Sequence, residues 1–502
     1  MTDLPQIRLH NSLTRRVEVL EPIEAGKVGI YTCGSTVYKY AHIGNLRTYL
    51  FGDLLHRTLE YLGYEVRYVK NITDVGHMRN DDHDSLAAAA DKMEEAAALE
   101  GKSPAEIADF YTRAWLEDEA LINILPADVM PKASEHIDGM IALTERLLEK
   151  GLAYEVDGTI YYDVSAFPGY GRLSGQRVDE MRAGHRVDVE SDKRDPADFA
   201  LWKHAHEHRS MKWPSPWGDG FPGWHIECSA MSLELLGERF DIHTGGIDLK
   251  FPHHEDEIAQ SEGALGHEVV SVWMHGEFLT MDDAKMAKSA GNIIRVAELP
   301  EKGYEPLAFR YLALTAHYRS KLDFTDDALH AASSGLARLR RAAAGPDDPV
   351  DLTAEPMRGH RERFTDAVAD DLATPRALAI AQDVASNAAL TDAQRRALLL
   401  DFDRVLGLSI HAPASADAPL PEGAAELLRR RAAARDARDF TTSDALRDQL
   451  AAIGVEVRDT PDGQEASAVS ESRGGALTRP ARWAGTERPT SERRSRVRRA
   501  RR

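Results

Sequence analysis

The stretch 27-KVGIYTCGSTVYKYAHIGNLRTYLFGDLLHRTLEYLGYEVRYVKNI-72 decides the fold. Its opening, "KVGIYTC" (27–33), is a short apolar run and reads as a buried strand. After a loop, "GNLRTYLFGDLLHRTLEYLG" puts Leu46, Leu50, Leu54, Leu55, Leu59 and Leu62 on one helical stripe. Gly63 suits the left-handed residue just past that helix. "YEVRYVKNI" (64–72) then reads as the next strand. A β-loop-α-β unit of this kind opens a parallel, nucleotide-binding sheet, so the fold class is α/β.

Working outward, "ERFDIHTGG" (238–246), "HHEDEIAQSEGAL" (253–265) and "EVVSVWMH" (268–275) repeat the strand, helix, strand order. Between the two units lie helical segments, "EIADFYTRAWLEDEALINIL" and "HIDGMIALTERLLEKG", and a Gly-, Pro- and Trp-rich part near "WKHAHEHRSMKWPSPWGDG". The sheet domain therefore reads as two halves, 1–140 and 216–275, split by an insertion at 141–215. A loop region at 276–320 follows, and then an Ala/Leu-rich helical bundle at 321–410. "HAPASADAPLPEG" (411–423) is a Pro/Ala linker. A small helical unit at 424–462 has Ser443 as an expected N-cap, Leu446, Leu450 and Ile453 on one face, and Gly454 as its stop. The Arg-, Ser-, Gly- and Pro-rich tail, 463–502, cannot pack a core and is expected to be disordered.

Bulk properties narrow the function classes. At 502 residues the chain exceeds one ordinary hydrophobic core, and 43% hydrophobic with 29% charged residues is a globular composition. Mean hydropathy is −0.42. No apolar run suits a signal peptide or a membrane span, and two cysteines cannot build a disulfide framework, so a reducing cytoplasm is expected. The net charge of −20 argues against nucleic-acid binding over the whole surface, yet it leaves room for a local basic groove.

Two stretches carry chemistry. His42-Ile43-Gly44-Asn45 stands at a strand-to-helix turn, where free N–H groups and the helix dipole make a seat for phosphate. His42 and Asn45 add donors, and Gly44 lets a ligand ring approach the backbone; alone, the tetrapeptide is equally an ordinary capping turn. In "KMAKSAGN" (285–292), Lys285 and Lys288 form a cationic loop able to neutralise a polyphosphate leaving group, although lysines also mark plain surface loops.

Together the pair resembles the two signature sequences of class I aminoacyl-tRNA synthetases. The match narrows to the cysteinyl-tRNA synthetases through "YTCGSTVY", "NITDV", "PSPWGDGFPGWHIECSAMS", "DIHTGGIDLKFPHHEDEIAQSE", "KMAKSAGN" and "LTAHYRSKLDF". It runs from about residue 6 to 462. The resemblance implies a Rossmann-type parallel sheet split by an insertion, then a helical bundle and a small anticodon-binding unit. It implies that L-cysteine, ATP and tRNA(Cys) are the substrates, that the protein is a cytoplasmic monomer, and that Mg²⁺ accompanies ATP. It joins Cys33, Cys228, His253 and Glu257 as ligands of one Zn²⁺ ion, which spacing alone does not do. A metal-bound thiolate, formed from a group with an ordinary pKa of about 8.5, would separate cysteine from serine more sharply than packing could. By the same resemblance Thr73, Trp224 and His243 line the amino-acid pocket. Asp248 with His42, Gly44 and Asn45 binds ATP, and Lys285 and Lys288 stabilise the departing pyrophosphate.

Three positions depart from the family pattern: Asn45 where His is usual, Ala287 where Ser is usual, and Ser35 where Pro is usual. The Asn45 amide still donates, and Ala287 removes a hydroxyl but no charge. Two other readings compete: a ligase joining activated cysteine to glucosaminyl-inositol, which would lack an anticodon unit, and a non-charging regulatory paralogue. Residues 424–462 favour the synthetase over the former, and the intact zinc and lysine positions favour it over the latter.

Overall fold

The computed structural model describes residues 4–76, 91–176, 193–281, 284–285, 294–412, 423–453, 455–460 and 463–468. An N-terminal hairpin, β1 (Arg8–Asn11) and β2 (Arg16–Val19), precedes the opening unit β3 (Lys27–Thr36), α1 (Ile43–Tyr61) and β4 (Glu65–Thr73). The six leucines of the predicted stripe are all buried, and Gly63 takes a φ of +95° immediately after the helix C-cap Leu62. β3 and β4 pair in parallel from Lys27↔Glu65 to Thr36↔Thr73, with a register shift between Thr32 and Ser35.

α2 (Lys92–Glu100), α3 (Pro104–Leu121) and α4 (Ile137–Glu149) follow. Ser103 and Glu106 cap the start of α3 reciprocally, and Pro104 fills a position whose N–H would have no helical partner. Next comes an antiparallel sheet, β5 (Ala153–Val156), β6 (Thr159–Tyr162), β7 (Phe199–His204) and β8 (Gly220–Pro222), paired in sequence order. Its pairing of Trp202 with Pro222 carries the insertion's sheet past residue 215. A three-residue edge strand containing Gly and Pro has no alternation to betray it in the sequence.

The chain then returns to the first sheet through α5 (Trp224–Leu236), β9 (Phe240–Gly246), α6 (His253–Leu265) and β10 (Val270–Gly276). The order is β10-β9-β3-β4, all parallel. The chain leaves β3 toward β4 and comes back on the other side at β9, so the switch point lies at the carboxyl ends of β3 and β9. Ligands of open parallel sheets bind at that kind of crevice.

β11 (Leu279–Met281), β12 (Ala284–Lys285), α7 (Pro306–Leu314) and β13 (Leu322–Asp323) lead into four bundle helices. These are α8 (Asp326–Ala342), α9 (Met357–Val368), α10 (Thr374–Ser386) and α11 (Asp392–Leu406). Leu46, Leu50 and Leu54 of α1 share one core with Leu329, Phe364, Leu398 and Phe402 of these helices. The signature helix is thus packed between the sheet and the bundle.

The C-terminal unit comprises α12 (Ala424–Asp436), α13 (Phe440–Ala452) and the hairpin β14 (Val455–Thr460) with β15 (Gly463–Ala468). It has its own small core of Ala424, Leu450, Val455 and Val457. Two expectations change here. The cap of α13 is Asp439, whose carboxylate accepts from the Thr442 N–H, and Ser443 is a buried residue inside the helix. Asp439 stands one turn earlier and is as good a cap, so it captures the start. Residues 463–468, read as the beginning of the tail, form β15; "GQEASA" lacks the alternation that marks a strand, and the register Val455↔Ala468 through Thr460↔Gly463 supplies the stability instead. Truncation after Ala468 should therefore leave the melting temperature nearly unchanged. Truncation after residue 462 should lower it, measured by circular dichroism. Among the described residues no helix is long and apolar enough to cross a membrane.

Candidate functional site

The register slip in β3 falls at Cys33 and Gly34, so Cys33 leaves the regular ladder at the crevice. Cys228 comes from the second turn of α5, which begins directly after β8 and Gly223. His253 and Glu257, four apart, share a face of α6. Their donor atoms and the two sulfurs all lie within 4.8 Å of one another, in fully buried surroundings. The Cys33 and Cys228 Sγ atoms are 3.8 Å apart, His253 Nε2 is 3.2 Å from Glu257 Oε1, and Cys33 Sγ is 3.8 Å from Glu257 Oε1. Tetrahedral zinc with Zn–S bonds of about 2.3 Å would hold two sulfurs about 3.8 Å apart, so the donor set fits that ion.

A second donor set overlaps the first: Cys33, His243, His254 and Glu257. His254 Nε2 is 3.3 Å from Cys33 Sγ, and His243 Nε2 is 2.9 Å from Glu257 Oε2. The nitrogens on the far side of the rings distinguish His253 from His243. His253 Nδ1 is 2.9 Å from His225 Nδ1, and His225 Nε2 in turn is 3.3 Å from Asp256 Oδ2. His243 Nδ1 is buried with no hydrogen-bond partner. Ligating histidines normally have that second nitrogen held, which favours His253 over His243; His254, whose Nδ1 lies 2.8 Å from His275 Nε2, meets the same condition.

α6 buries His253, His254, Glu255, Asp256, Glu257 and Gln260, a costly set unless every group is paired. The pairing is extensive. Glu255 accepts from the Ser174 N–H at 2.7 Å, Asp256 accepts from the Tyr170 hydroxyl, and His254 Nδ1 is 2.8 Å from His275 Nε2. His275 Nδ1 lies 2.8 Å from Ser12 Oγ. Burial and the neighbouring imidazoles hold His254 well below its ordinary pKa. Burial likewise lowers His275. Burial pushes the Cys33 thiol up, with the neighbouring Cys228 adding to it. Burial pushes Cys228 the same way, but the Cys33 thiol and the His253 imidazole outweigh it and bring Cys228 down to about 6. The site thus favours a thiolate, the form that binds metal.

The pocket residues flank this cluster. The half-buried Trp224 ring lies 4.3 Å from the His253 ring, and the His243 ring stacks on Trp273 at 4.5 Å. Thr73, at the end of β4, accepts a hydrogen bond from Asn71 Nδ2 at 3.2 Å. Gly245 allows His254 its place, since a Cβ there would meet His254 Cε1 at 2.7 Å.

On the nucleotide side, His42 caps α1. Its Nδ1 accepts from the Asn45 N–H at 3.2 Å, and Asn45 Oδ1 accepts from the His42 N–H at 3.2 Å. With Nδ1 accepting, the His42 proton resides on Nε2, which makes that nitrogen a donor. The variant Asn45 is therefore a working half of a capping box, a role its sequence departure did not suggest. Gly44 lies in the first turn of α1, and exposed Asp248 lies in a short turn after the carboxyl end of β9. Lys285 ends β12, whose backbone pairs with β11 at Thr280; Lys288 and Ala287 lie outside the described residues. Sequence reasoning missed His225, His254, His275 and Asn71. The doublet in "PHHEDE" was the available signal for His254.

Residues 19–334 match the family described as tRNA synthetases class I (C) catalytic domain, and residues 417–466 match the Cysteinyl-tRNA ligase anticodon binding domain. The cysteine–tRNA ligase of Chlorobium chlorochromatii is 43% identical over 482 residues, covering 91% of this chain and 98% of its own. Cysteine–tRNA ligase 1 of Burkholderia lata is 46% identical over 462 residues, covering 91% of this chain and 96% of its own. In fold alone, the chain is similar to Mycobacterium tuberculosis methionyl-tRNA synthetase in complex with methionyl-adenylate, with a TM-score of 0.52, 16% identity, and coverage of 89% of this chain and 99% of that one. The chain belongs to the cysteinyl-tRNA synthetase family of class I aminoacyl-tRNA synthetases.

Proposed function

We propose that this chain activates L-cysteine with ATP and transfers the cysteinyl group to the 3′ end of tRNA(Cys). The observation that carries this reading is the meeting of two thiols, an imidazole and a carboxylate from β3, α5 and α6 at the switch point of the sheet. Cys33, Cys228, His253 and Glu257 would hold one Zn²⁺, and the ion would supply coordination to the substrate thiolate, a bond that serine cannot match. Trp224, His243 and Thr73 would wall the amino-acid pocket around that thiolate.

ATP would lie along the N-terminus of α1. His42 Nε2–H, the Asn45 side-chain amide and the Gly44 N–H would meet developing phosphate charge there, the Ile43 N–H being taken by the Ile294 carbonyl and the Asn45 N–H by His42 Nδ1. Gly44 leaves room for the adenine ring, and Asp248 accepts from the ribose hydroxyls. Attack of the cysteine carboxylate on the α-phosphorus, in line with the departing pyrophosphate, forms the mixed anhydride. Lys285 and Lys288, with Mg²⁺, would neutralise the leaving group, and their contribution falls in the transition state more than in ATP binding. The terminal adenosine hydroxyl of tRNA then attacks the activated carbonyl and releases AMP.

The match of residues 417–466 to an anticodon-binding family supports tRNA, rather than a glucosaminyl-inositol amine, as acceptor. We assign 1–140 and 216–275 to the two halves of the catalytic sheet domain and 141–215 to the connective insertion, whose sheet takes its last strand, β8, from the start of the second half. We assign 276–320 to the lysine-loop region, 321–410 to the bundle and 424–462, extended by β15, to anticodon contact. Action as a cytoplasmic monomer belongs to the same reading.

The test incubates the purified chain with labelled cysteine, ATP, Mg²⁺ and total tRNA. Acid-precipitable label that ribonuclease removes is the expected result. No label, with cysteine-dependent pyrophosphate exchange intact, would overturn tRNA as acceptor.

A further inference from the structure

We propose that Asn71 is a positioning residue for cysteine: it ties the peptide carrying Cys33 to the Thr73 hydroxyl and sets where that hydroxyl's hydrogen points. The inference rests on the reading above, with Cys33 as a metal ligand and Thr73 in the amino-acid pocket.

The geometry begins with the slip in β3. From Lys27 to Thr32 the strand keeps one register with β4, and from Ser35 it keeps another. Gly34 lies inside the slip, and its N–H donates to the Asn71 side-chain Oδ1 at 2.8 Å. A side chain thus takes the part of a ladder carbonyl beside Cys33. Gly34 approaches β4 so closely that a Cβ there would collide with the Asn71 backbone carbonyl. The two backbones touch, with Asn71 only 1% exposed between them.

The direction of the second bond follows from chemistry. A backbone N–H can only donate, so the atom of Asn71 facing Gly34 must be its oxygen. The NH₂ group is then the atom 3.2 Å from Thr73 Oγ1. Thr73 Oγ1 must therefore accept, and its own hydrogen is left for a group other than Asn71. Thr73 is the last residue of β4 and pairs with Thr36 at the carboxyl edge, so on the pocket reading its hydrogen would be offered to an anionic group of the bound cysteine. One amide thereby links the metal-ligand segment to the donor that reads the amino acid. A buried asparagine that only stabilised the bulge would influence all substrates through the folded fraction. A positioning asparagine affects cysteine alone.

The experiment measures cysteine-dependent ATP–pyrophosphate exchange with the full-length, zinc-loaded chain, together with zinc loss to a chromophoric chelator. Asn71→Asp keeps an oxygen toward Gly34 but has no donor for Thr73. It should raise KM for cysteine about tenfold while KM for ATP stays within about twofold. Asn71→Ala should show the same rise and also lose zinc faster, since the Gly34 N–H loses its partner. In the double variant Asn71→Asp/Thr73→Val, KM for cysteine should be no higher than in Thr73→Val alone. A folded Asn71→Asp or Asn71→Ala protein with wild-type KM for cysteine, or fully multiplicative effects in the double variant, would overturn the inference. Thr73→Val with unchanged KM for cysteine would overturn the pocket reading itself, and the inference with it.

Discussion

Cys228→Ala is expected to abolish metal binding and cysteine activation together. The substitution removes the thiolate that the site stabilises most, the one brought down to about 6 by the Cys33 thiol and the His253 imidazole against the cost of burial. Three donors would remain, and one of them, Cys33, is pushed toward its protonated form by burial. Zinc content, measured by atomic absorption after dialysis, should fall to background. Cysteine-dependent pyrophosphate exchange should fall by on the order of a thousandfold or more, because substrate selection and metal affinity depend on the same ligands. Misfolding is a competing explanation, since Cys228 packs with Tyr31, Met231 and Trp273 in the sheet core. Cys228→Ser separates the two: it nearly preserves shape yet substitutes a hard oxygen for the sulfur, so it should retain the melting profile of the metal-stripped wild type and still fail to hold zinc. Normal exchange in a zinc-free Cys228→Ala protein would remove the metal from the reading altogether.

The opening β-α-β unit and its repeat at 238–276 were legible because apolar periodicity was undisturbed: the leucines of α1 are buried, and α6 spans His253–Leu265 as its sequence suggested. Joining the four candidate metal donors needed the family resemblance, because they come from three elements and nothing local joins Cys33 to Cys228 across nearly two hundred residues. Short-range order failed wherever long-range pairing decided the outcome. β8 exists because Trp202 and Lys203 find partners at Pro222 and Phe221, and β15 exists because β14 is there to pair with it. The histidines behind the ligands were illegible for a related reason. His225, His254 and His275 look like ordinary core or surface residues until α5, α6 and β10 bring their nitrogens within 3.3 Å of a ligand or of one another. Asn71 was hidden inside a motif from which Thr73 alone had been drawn, and its bond to Gly34 arises only from the slipped register.

Asp53→Ala is expected to be among the most destabilising single changes in the chain, although Asp53 touches no substrate. Asp53 lies in the middle of α1 and is completely buried. Its carboxylate accepts from Arg57 Nε at 2.9 Å, from Arg310 Nη2 at 2.6 Å and from the Leu125 N–H at 2.8 Å. Arg310, equally buried, also donates to the carbonyls of Leu406, Ile122 and Asn123, so one guanidinium joins α1, α7, the turn after α3 and the end of α11. Gly407, at a φ of +62°, leaves the space this guanidinium occupies. Burial pushes the Asp53 carboxyl up, but Arg310 and Arg57 more than offset it and hold it below the usual carboxylate range. Removing the carboxylate leaves two guanidiniums facing each other without a counter-charge, a loss of about 3–5 kcal/mol. Arg310→Met should cost less, because Asp53 keeps Arg57 and the Leu125 N–H, and orphaned carbonyls are the cheaper backbone groups to leave. The double variant Asp53→Leu/Arg310→Met should be more stable than Asp53→Ala, and additive losses would show that the pair is not coupled. The sign with pH follows from the depressed carboxyl: its contribution is present above the unfolded value of about 3.9 and disappears as pH falls through the folded one. Asp53→Asn, which never carries the charge, should therefore lose less melting temperature than the wild type on acidification below about pH 4. Because α1 presents His42 at its other end, the same substitutions should slow pyrophosphate exchange only as far as they loosen that helix, and exchange by Arg310→Met at low temperature should stay close to wild type.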